Sequence, residues 1–153
     1  MNYRQIGRSG LITSNLTLGT MIFGENSERS APKETALKII DGYLGAGGNH
    51  LDTADVYAEG HSEEIVGQAI KHRRTEVIVS TKVRFRTDGN INAEGLSRLH
   101  IVSGVEGSLR RLQTDYIDLL YLHCFDPITP LEETVRTLDD LVRSGKVRYI
   151  GLS

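Results

Sequence analysis

The chain has 153 residues, 39% of them apolar and 25% charged, and a formal charge of −2, which suits one soluble core and gives no electrostatic argument for nucleic acid or an anionic membrane. Its single cysteine, Cys124, excludes an internal disulfide, and no apolar run reaches the roughly 20 residues a membrane helix needs. The start, Met1-Asn2-Tyr3-Arg4, lacks the apolar core of a secretory signal, so the expected location is cytoplasmic.

Residues 3–6 and 11–13 flank a turn bracketed by Gly7 and Gly10, which predicts an opening hairpin. Residues 16–21 read as a first buried strand, and the polar stretch 24–29 follows. Ser30 is the candidate N-cap of a helix with Pro32 and Glu34 in its first turn; Ala36, Leu37, Ile40, Tyr43 and Leu44 recur at helical spacing, and Gly45, Gly47 and Gly48 stop it. A short strand ends near Asp52. Ser62 is the next candidate cap, with Glu63 and Glu64 placed to suit the helix dipole, an inward face of Ile65, Val66, Ala69 and Ile70, and a cationic end at Lys71-His72-Arg73-Arg74.

Residues 76–82 form the third predicted strand of this series, and residues 84–98 a polar connection long enough to suggest a functional reason. Val102, Val105, Leu109 and Leu112 mark another helix, which must lean on tertiary packing because Gly104 and Gly107 within it each cost about 1 kcal/mol relative to alanine. A strand over 116–123 follows. Thr129, Pro130 and Glu132 read as a capping box opening a helix whose stripe is Leu131, Val135, Leu138, Leu141 and Val142, with Gly145 at its end and a last strand over 147–153.

Strands alternating with helices predict a parallel sheet with helical crossovers. Two architectures compete: a flavodoxin-like open sheet needs about five strands, whereas a closed eight-stranded barrel needs at least about 200 residues, so length alone favours the open sheet.

Asp52, Tyr57 five residues later, Lys82 and His123 all follow strand-like runs, so a parallel sheet brings them to one end. The set fits proton transfer to or from a carbonyl or alcohol oxygen. Free tyrosine titrates at about 10, too high to exchange protons readily at neutral pH without a cation to stabilise its phenolate. Lys82 can supply that charge, Asp52 can hold Lys82, and His123 can donate a hydrogen bond to the substrate oxygen. Taken singly, each has a structural reading: a turn-capping aspartate, a loop aromatic, a solvated lysine, a core histidine. Their joint placement favours the functional one. None of the four can deliver a hydride, so a redox reaction requires a nicotinamide cofactor. Cys124 reads as structural, since its neighbour His123 should point to the opposite face. The histidines at 50, 61, 72, 100 and 123 lack short ligand spacing, which argues against a zinc site.

The sequence resembles the aldo-keto reductases, and particularly the bacterial members that are similar to potassium-channel β subunits. The motifs that carry the resemblance are Leu18-Gly19-Thr20-Met21, Asp52-Thr53-Ala54-Asp55-Val56-Tyr57 with Gly60 and Ser62-Glu63-Glu64, Ser80-Thr81-Lys82, Asp115-Tyr116-Ile117-Asp118-Leu119 leading to His123, and residues 145–153. The resemblance implies an NADP(H)-dependent oxidoreductase reducing aldehydes or ketones. It also implies an α/β fold of the (β/α)8 TIM-barrel type, with about five of the eight βα units present and a hairpin closing the bottom. Tyr57 would be the general acid, Lys82 would stabilise its phenolate, Asp52 would pair with Lys82, and His123 would orient the carbonyl. Gly19, Thr20, Met21 and Asp52 would line the cofactor near the nicotinamide, and Ser153 would touch its carboxamide. The fingerprint G-x-G-x-x-G is absent after the first strand, so the binding implied is not of the Rossmann type. Because the family's barrel has three further strands, the expectation is that the chain self-associates or that a C-terminal half covers its open edges. The alternatives are a truncated, non-catalytic fragment or regulatory subunit of the same family, and a flavodoxin-like ligand-binding module.

Overall fold

The computed structural model describes residues 1–25 and 28–153, so Asn26 and Ser27 of the predicted polar stretch lie outside the described residues. Strands β1 (Tyr3–Gln5) and β2 (Ile12–Ser14) form the expected antiparallel hairpin, with Tyr3 opposite Ser14. The rest of the chain alternates β3 (Leu18–Gly19), α1 (Lys33–Gly45), β4 (His50–Asp52), α2 (His61–Ile70), β5 (Ile78–Val83), α3 (Arg98–Leu112), β6 (Ile117–Leu122), α4 (Leu131–Arg143) and β7 (Val147–Leu152). The five later strands are parallel and lie in the order β3-β4-β5-β6-β7.

That order decides between the two architectures. A doubly wound sheet reverses direction at a switch point, which puts helices on both faces. Here every strand is added on the same side of the last, so right-handed crossovers lay all four helices on one face, and α1 touches α2, α2 touches α3, and α3 touches α4. The sheet is an arc of a (β/α) barrel, and the length argument for an open flavodoxin-like sheet fails. Leu51, Val79, Val83, Leu120 and Leu122 face Ile40, Val66, Ile70, Ile101, Val105 and Leu112 in the core between sheet and helices.

Several local expectations change. Strand β3 is two residues long and is not buried, because as the first strand of the arc it pairs only with β4; Leu16 and Met21 beside it are exposed. Helix α1 begins behind Pro32 rather than at a Ser30 cap. Ser62 lies inside α2, buried, with its hydroxyl donating to the Thr20 carbonyl at 2.8 Å, so it ties the helix to the strand ends instead of capping it. The capping box at Thr129 does not form: α4 starts behind Pro130, and the Thr129 hydroxyl donates to Asp126 Oδ2 at 2.6 Å. Only Leu138 and Leu141 of the α4 stripe are buried; Leu131, Val135 and Val142 are exposed along a flank with no neighbouring helix among the described residues. Gly104 has its reason in packing, since a Cβ there would stand 2.7 Å from Val83 Cγ2; the helix forgoes a side chain to lie close on β5. Cys124 is exposed.

Candidate active site

Residues two apart on a strand share a face, and this parity builds the site. Asp52 on β4 pairs in register with Ser80 on β5, and Lys82 is two residues beyond Ser80. The Lys82 ammonium uses its three N–H bonds on three oxygens: Asp52 Oδ2 at 2.7 Å, the Thr53 carbonyl at 2.7 Å and the Tyr57 hydroxyl at 3.1 Å. Its donor capacity is thereby filled. The other Asp52 oxygen accepts from the Ser80 hydroxyl at 2.6 Å. Lys82 is buried, and the carboxylate beside it offsets the cost of burying its charge.

Tyr57 opens a short 3-10 turn, Tyr57–Gly60, in which Ala58 and Glu59 hold φ values of 49° and 56°. Left-handed backbone at non-glycine residues costs on the order of 1–2 kcal/mol each and persists only where the surroundings enforce it. Arg111 of α3 packs against the end of this turn. Gly60, at φ +95°, sits so close over Arg111 that a Cβ would fall 2.6 Å from its Cδ. Arg111 Nε in turn donates to Glu63 Oε2 at 2.6 Å, and Thr81, next to Lys82, donates to Glu63 Oε1 at 2.5 Å. Glu63, read from sequence only as a first-turn acid suited to the helix dipole, is fully buried and links the tyrosine loop to the lysine strand.

His123 lies one residue past β6, its ring edge-on to Tyr57 with centroids 5.9 Å apart and edge-on to Phe85 at 4.8 Å. Burial and then the Lys82 charge lower its pKa below the usual histidine value, so the imidazole is neutral at neutral pH. A neutral imidazole has one N–H to donate. The sequence-predicted Asp52, Tyr57, Lys82 and His123 are therefore brought together.

The residues expected near a nicotinamide divide. Gly19, Asp52 and Ser153 line a cavity of about 460 Å³ with Thr17, His50, Lys82, Tyr121 and Leu152. Thr20 is completely buried outside that lining, its hydroxyl 3.0 Å from the Asp52 carbonyl and 2.8 Å from the Ser62 hydroxyl. Met21 is exposed outside that cavity. Ser80, Tyr121, Phe85, Glu63 and Arg111 were missed by the sequence reading. Ser80 and Tyr121 were available from parity, each two residues before a predicted site residue.

Asp55 shares the tyrosine loop. It is 3% exposed, and its carboxylate oxygens have no full hydrogen-bond partner among the described residues, although the backbone N–H groups of Val56 and Asp55 favour its charged form. Burial, then the negative charge of Glu63, raise its pKa from 3.8 to about 7 against the opposing charge of Arg111. Between roughly pH 4 and 7 the folded chain thus keeps a proton that the unfolded chain has lost. Stability is expected to be highest below that window, to fall as pH rises through it, and to level off above, by on the order of 4 kcal/mol for this group. Urea unfolding at the two ends of the window checks this: Asp55→Asn should flatten the fall, and an unchanged fall in that variant would rule the assignment out.

A lysine bonded to both an aspartate and a tyrosine beside a neutral histidine, all at the carboxyl ends of parallel barrel strands, makes a candidate acid–base site on a (β/α) barrel. The sequence model of the Aldo/keto reductase family matches residues 15–153. The chain belongs to the aldo/keto reductase family. It is 43% identical over its full length to a probable voltage-gated potassium channel subunit beta of Oryza sativa subsp. japonica, covering 46% of that protein. It is 41% identical to the aldo-keto reductase YhdN of Bacillus subtilis (strain 168), all of this chain matching 47% of that one. Among solved structures, the holo form of aldo-keto reductase AKR11C1 from Bacillus halodurans superposes on the whole chain with a TM-score of 0.87 at 40% identity, half of that protein being covered. The chain spans about half the length of the relatives it matches. No helix among the described residues is long and apolar enough to cross a membrane.

Proposed function

We propose that this chain carries the acid–base half of an NADP(H)-dependent reductase of aldehydes and ketones. One observation carries the reading: the Tyr57 oxygen accepts the third N–H of a Lys82 already held by Asp52 and the Thr53 carbonyl, so the tyrosine's own hydrogen is left for a substrate oxygen. A bound reduced nicotinamide supplies the hydride that no side chain here can provide. As negative charge grows on the carbonyl oxygen, Tyr57 gives it a proton. The ammonium 3.1 Å away then stabilises the phenolate left behind. His123 donates the hydrogen bond that orients the oxygen.

The lining of the 460 Å³ cavity supports the nicotinamide end of this cofactor. Gly19 leaves open space where a side chain would stand, and the Ser153 hydroxyl can both donate and accept, as a carboxamide requires. Lys82 is the one permanent cation in that lining and is already committed, so phosphate groups would need other partners.

A non-catalytic regulatory subunit is the second reading, favoured by the likeness to proteins named as potassium channel β subunits. Titration with NADPH followed by turnover of a panel of aldehydes and ketones separates the two. Alcohol formed in proportion to NADPH consumed supports the reductase; binding without turnover overturns it in favour of the subunit.

The open edges make a further prediction. Strands β3 and β7 each pair on one side only, and Leu16, Met21, Ile150 and Leu152 beside them are exposed, as are Leu131 and Val135 on α4. Unpaired edges flanked by apolar surface favour association. Light scattering behind a sizing column should give a mass above the 16.9 kDa of one chain. A stable monomer would count against this.

A further inference from the structure

The hydrogen bonds around Asp52 continue past Ser80. The Ser80 oxygen is 3.0 Å from His50 Nε2, and His50 Nδ1 is 3.2 Å from the Thr13 hydroxyl and 3.2 Å from that of Thr17. His50 is buried, and it stands two residues before Asp52 on the same face of β4. Nothing in the proton chemistry proposed above uses it.

Donor counting fixes the direction of the links from His50 to Asp52. A carboxylate only accepts, so the Ser80 proton lies toward Asp52 Oδ1 at 2.6 Å rather than toward the Leu51 carbonyl at 3.4 Å. With its hydrogen spent there, the Ser80 oxygen must accept from His50, which puts the imidazole proton on Nε2. Nδ1 is then bare, with one lone pair facing the Thr17 and Thr13 hydroxyls, the latter also 3.4 Å from the Asn49 Oδ1 acceptor. Burial lowers the pKa of His50, which keeps it in the neutral form that this pattern requires. The charges that act on it are Asp52 and Asp118, which favour protonation, and Lys82, which opposes it.

From this geometry we infer that His50 is a positioning residue: as the Nε2–H tautomer it turns the Ser80 hydroxyl onto Asp52 Oδ1, which fixes the carboxylate with Oδ2 facing Lys82. The chain does not conduct protons to Tyr57. Asp52 has no proton on Oδ2 to pass to Lys82, and one arriving on Oδ1 would require the acid to rotate away from both partners. Its work is orientation. Without the Nε2–H donor, Ser80 is free to turn toward Leu51, and Asp52 is held by Lys82 alone, which loosens the ammonium that Tyr57 depends on.

The inference rests on the reductase reading for its kinetic consequence but not for its tautomer, so two measurements on the whole chain keep the two apart. Long-range proton–nitrogen correlation spectra of the uniformly 15N-labelled chain at neutral pH should show His50 protonated at Nε2 and bare at Nδ1, with the Nε2 signal displaced in Ser80→Ala. Protonation at Nδ1, or signals indifferent to Ser80→Ala, would overturn the assignment whether or not the chain turns over. In turnover, His50→Leu and Ser80→Ala should each lower kcat by about 10-fold or more, the scale of losing an outer hydrogen-bond partner of an active group. KM should stay within about 2-fold, and the double variant should be no worse than either single one. His50→Gln, whose amide N–H can stand in for Nε2–H, should recover most of kcat. Equal losses in Gln and Leu, or additive losses in the double variant, would refute the positioning role, whereas absence of turnover in the unsubstituted chain would refute the reductase reading and leave the spectra to decide His50.

Discussion

Tyr57→Phe is expected to lower kcat/KM for carbonyl reduction by about 100- to 10,000-fold, the range set by loss of a positioned general acid, while cofactor affinity changes by less than about 2-fold. The substitution removes one oxygen and keeps the ring, so the edge-on contact with His123 at 5.9 Å and the approach of Lys82 Nζ to the tyrosine ring at 4.7 Å survive. What goes is the proton and the acceptor of Lys82's third N–H. The fall should lie in kcat, since the proton is given only as charge develops on the substrate oxygen. Steady-state rates with cofactor titration check it, and a variant that keeps more than about a tenth of kcat would remove Tyr57 from the chemistry.

Arg111→Met is expected to be the most destabilising single change in this part of the fold, by about 3–5 kcal/mol, the usual result of stripping one partner from a buried ion pair. It strands the fully buried Glu63 carboxylate with only the Thr81 hydroxyl, near an Asp55 whose pKa the same arginine holds down. Against a typical total of about 5–15 kcal/mol, that is enough to lower the urea midpoint sharply. The double variant Glu63→Leu with Arg111→Met should recover at least half of the loss, because replacing both partners leaves no unpaired charge. A single-variant cost below about 1 kcal/mol would show that solvent reaches Glu63 when the arginine is gone.

The acid–base groups were legible in the sequence because each sits at the end of an apolar run, where strand parity and the parallel arrangement leave little freedom. Asp52, Lys82 and His123 needed only the rule that strand ends converge. Their support was not legible. Glu63 looked like an ordinary first-turn acid on α2, and only the crossing of α2 over α3 shows that it faces inward to Arg111, 48 positions away along the chain. The caps failed for a related reason: Ser62 and Thr129 both found tertiary partners, in the Thr20 carbonyl and Asp126, that compete with the local helix signal. Leu131 and Val135 have the right period for a buried stripe, but periodicity says which face is apolar and not whether anything packs on it. The barrel itself was hidden from length arguments, since strand order is set by where each crossover lands.

That sequential order also bears on how the molecule comes into being. Within the sheet each strand pairs only with its neighbours in the chain, so the sheet can grow one crossover at a time, each parallel pairing having first to close the loop and helix that precede it. Asp52, Tyr57, Lys82 and His123 come from three consecutive strand ends. During synthesis, from the N-terminus onward, the docking of β6 is the last event their assembly requires, and α4 and β7 can still be on the ribosome when Lys82 first meets Tyr57.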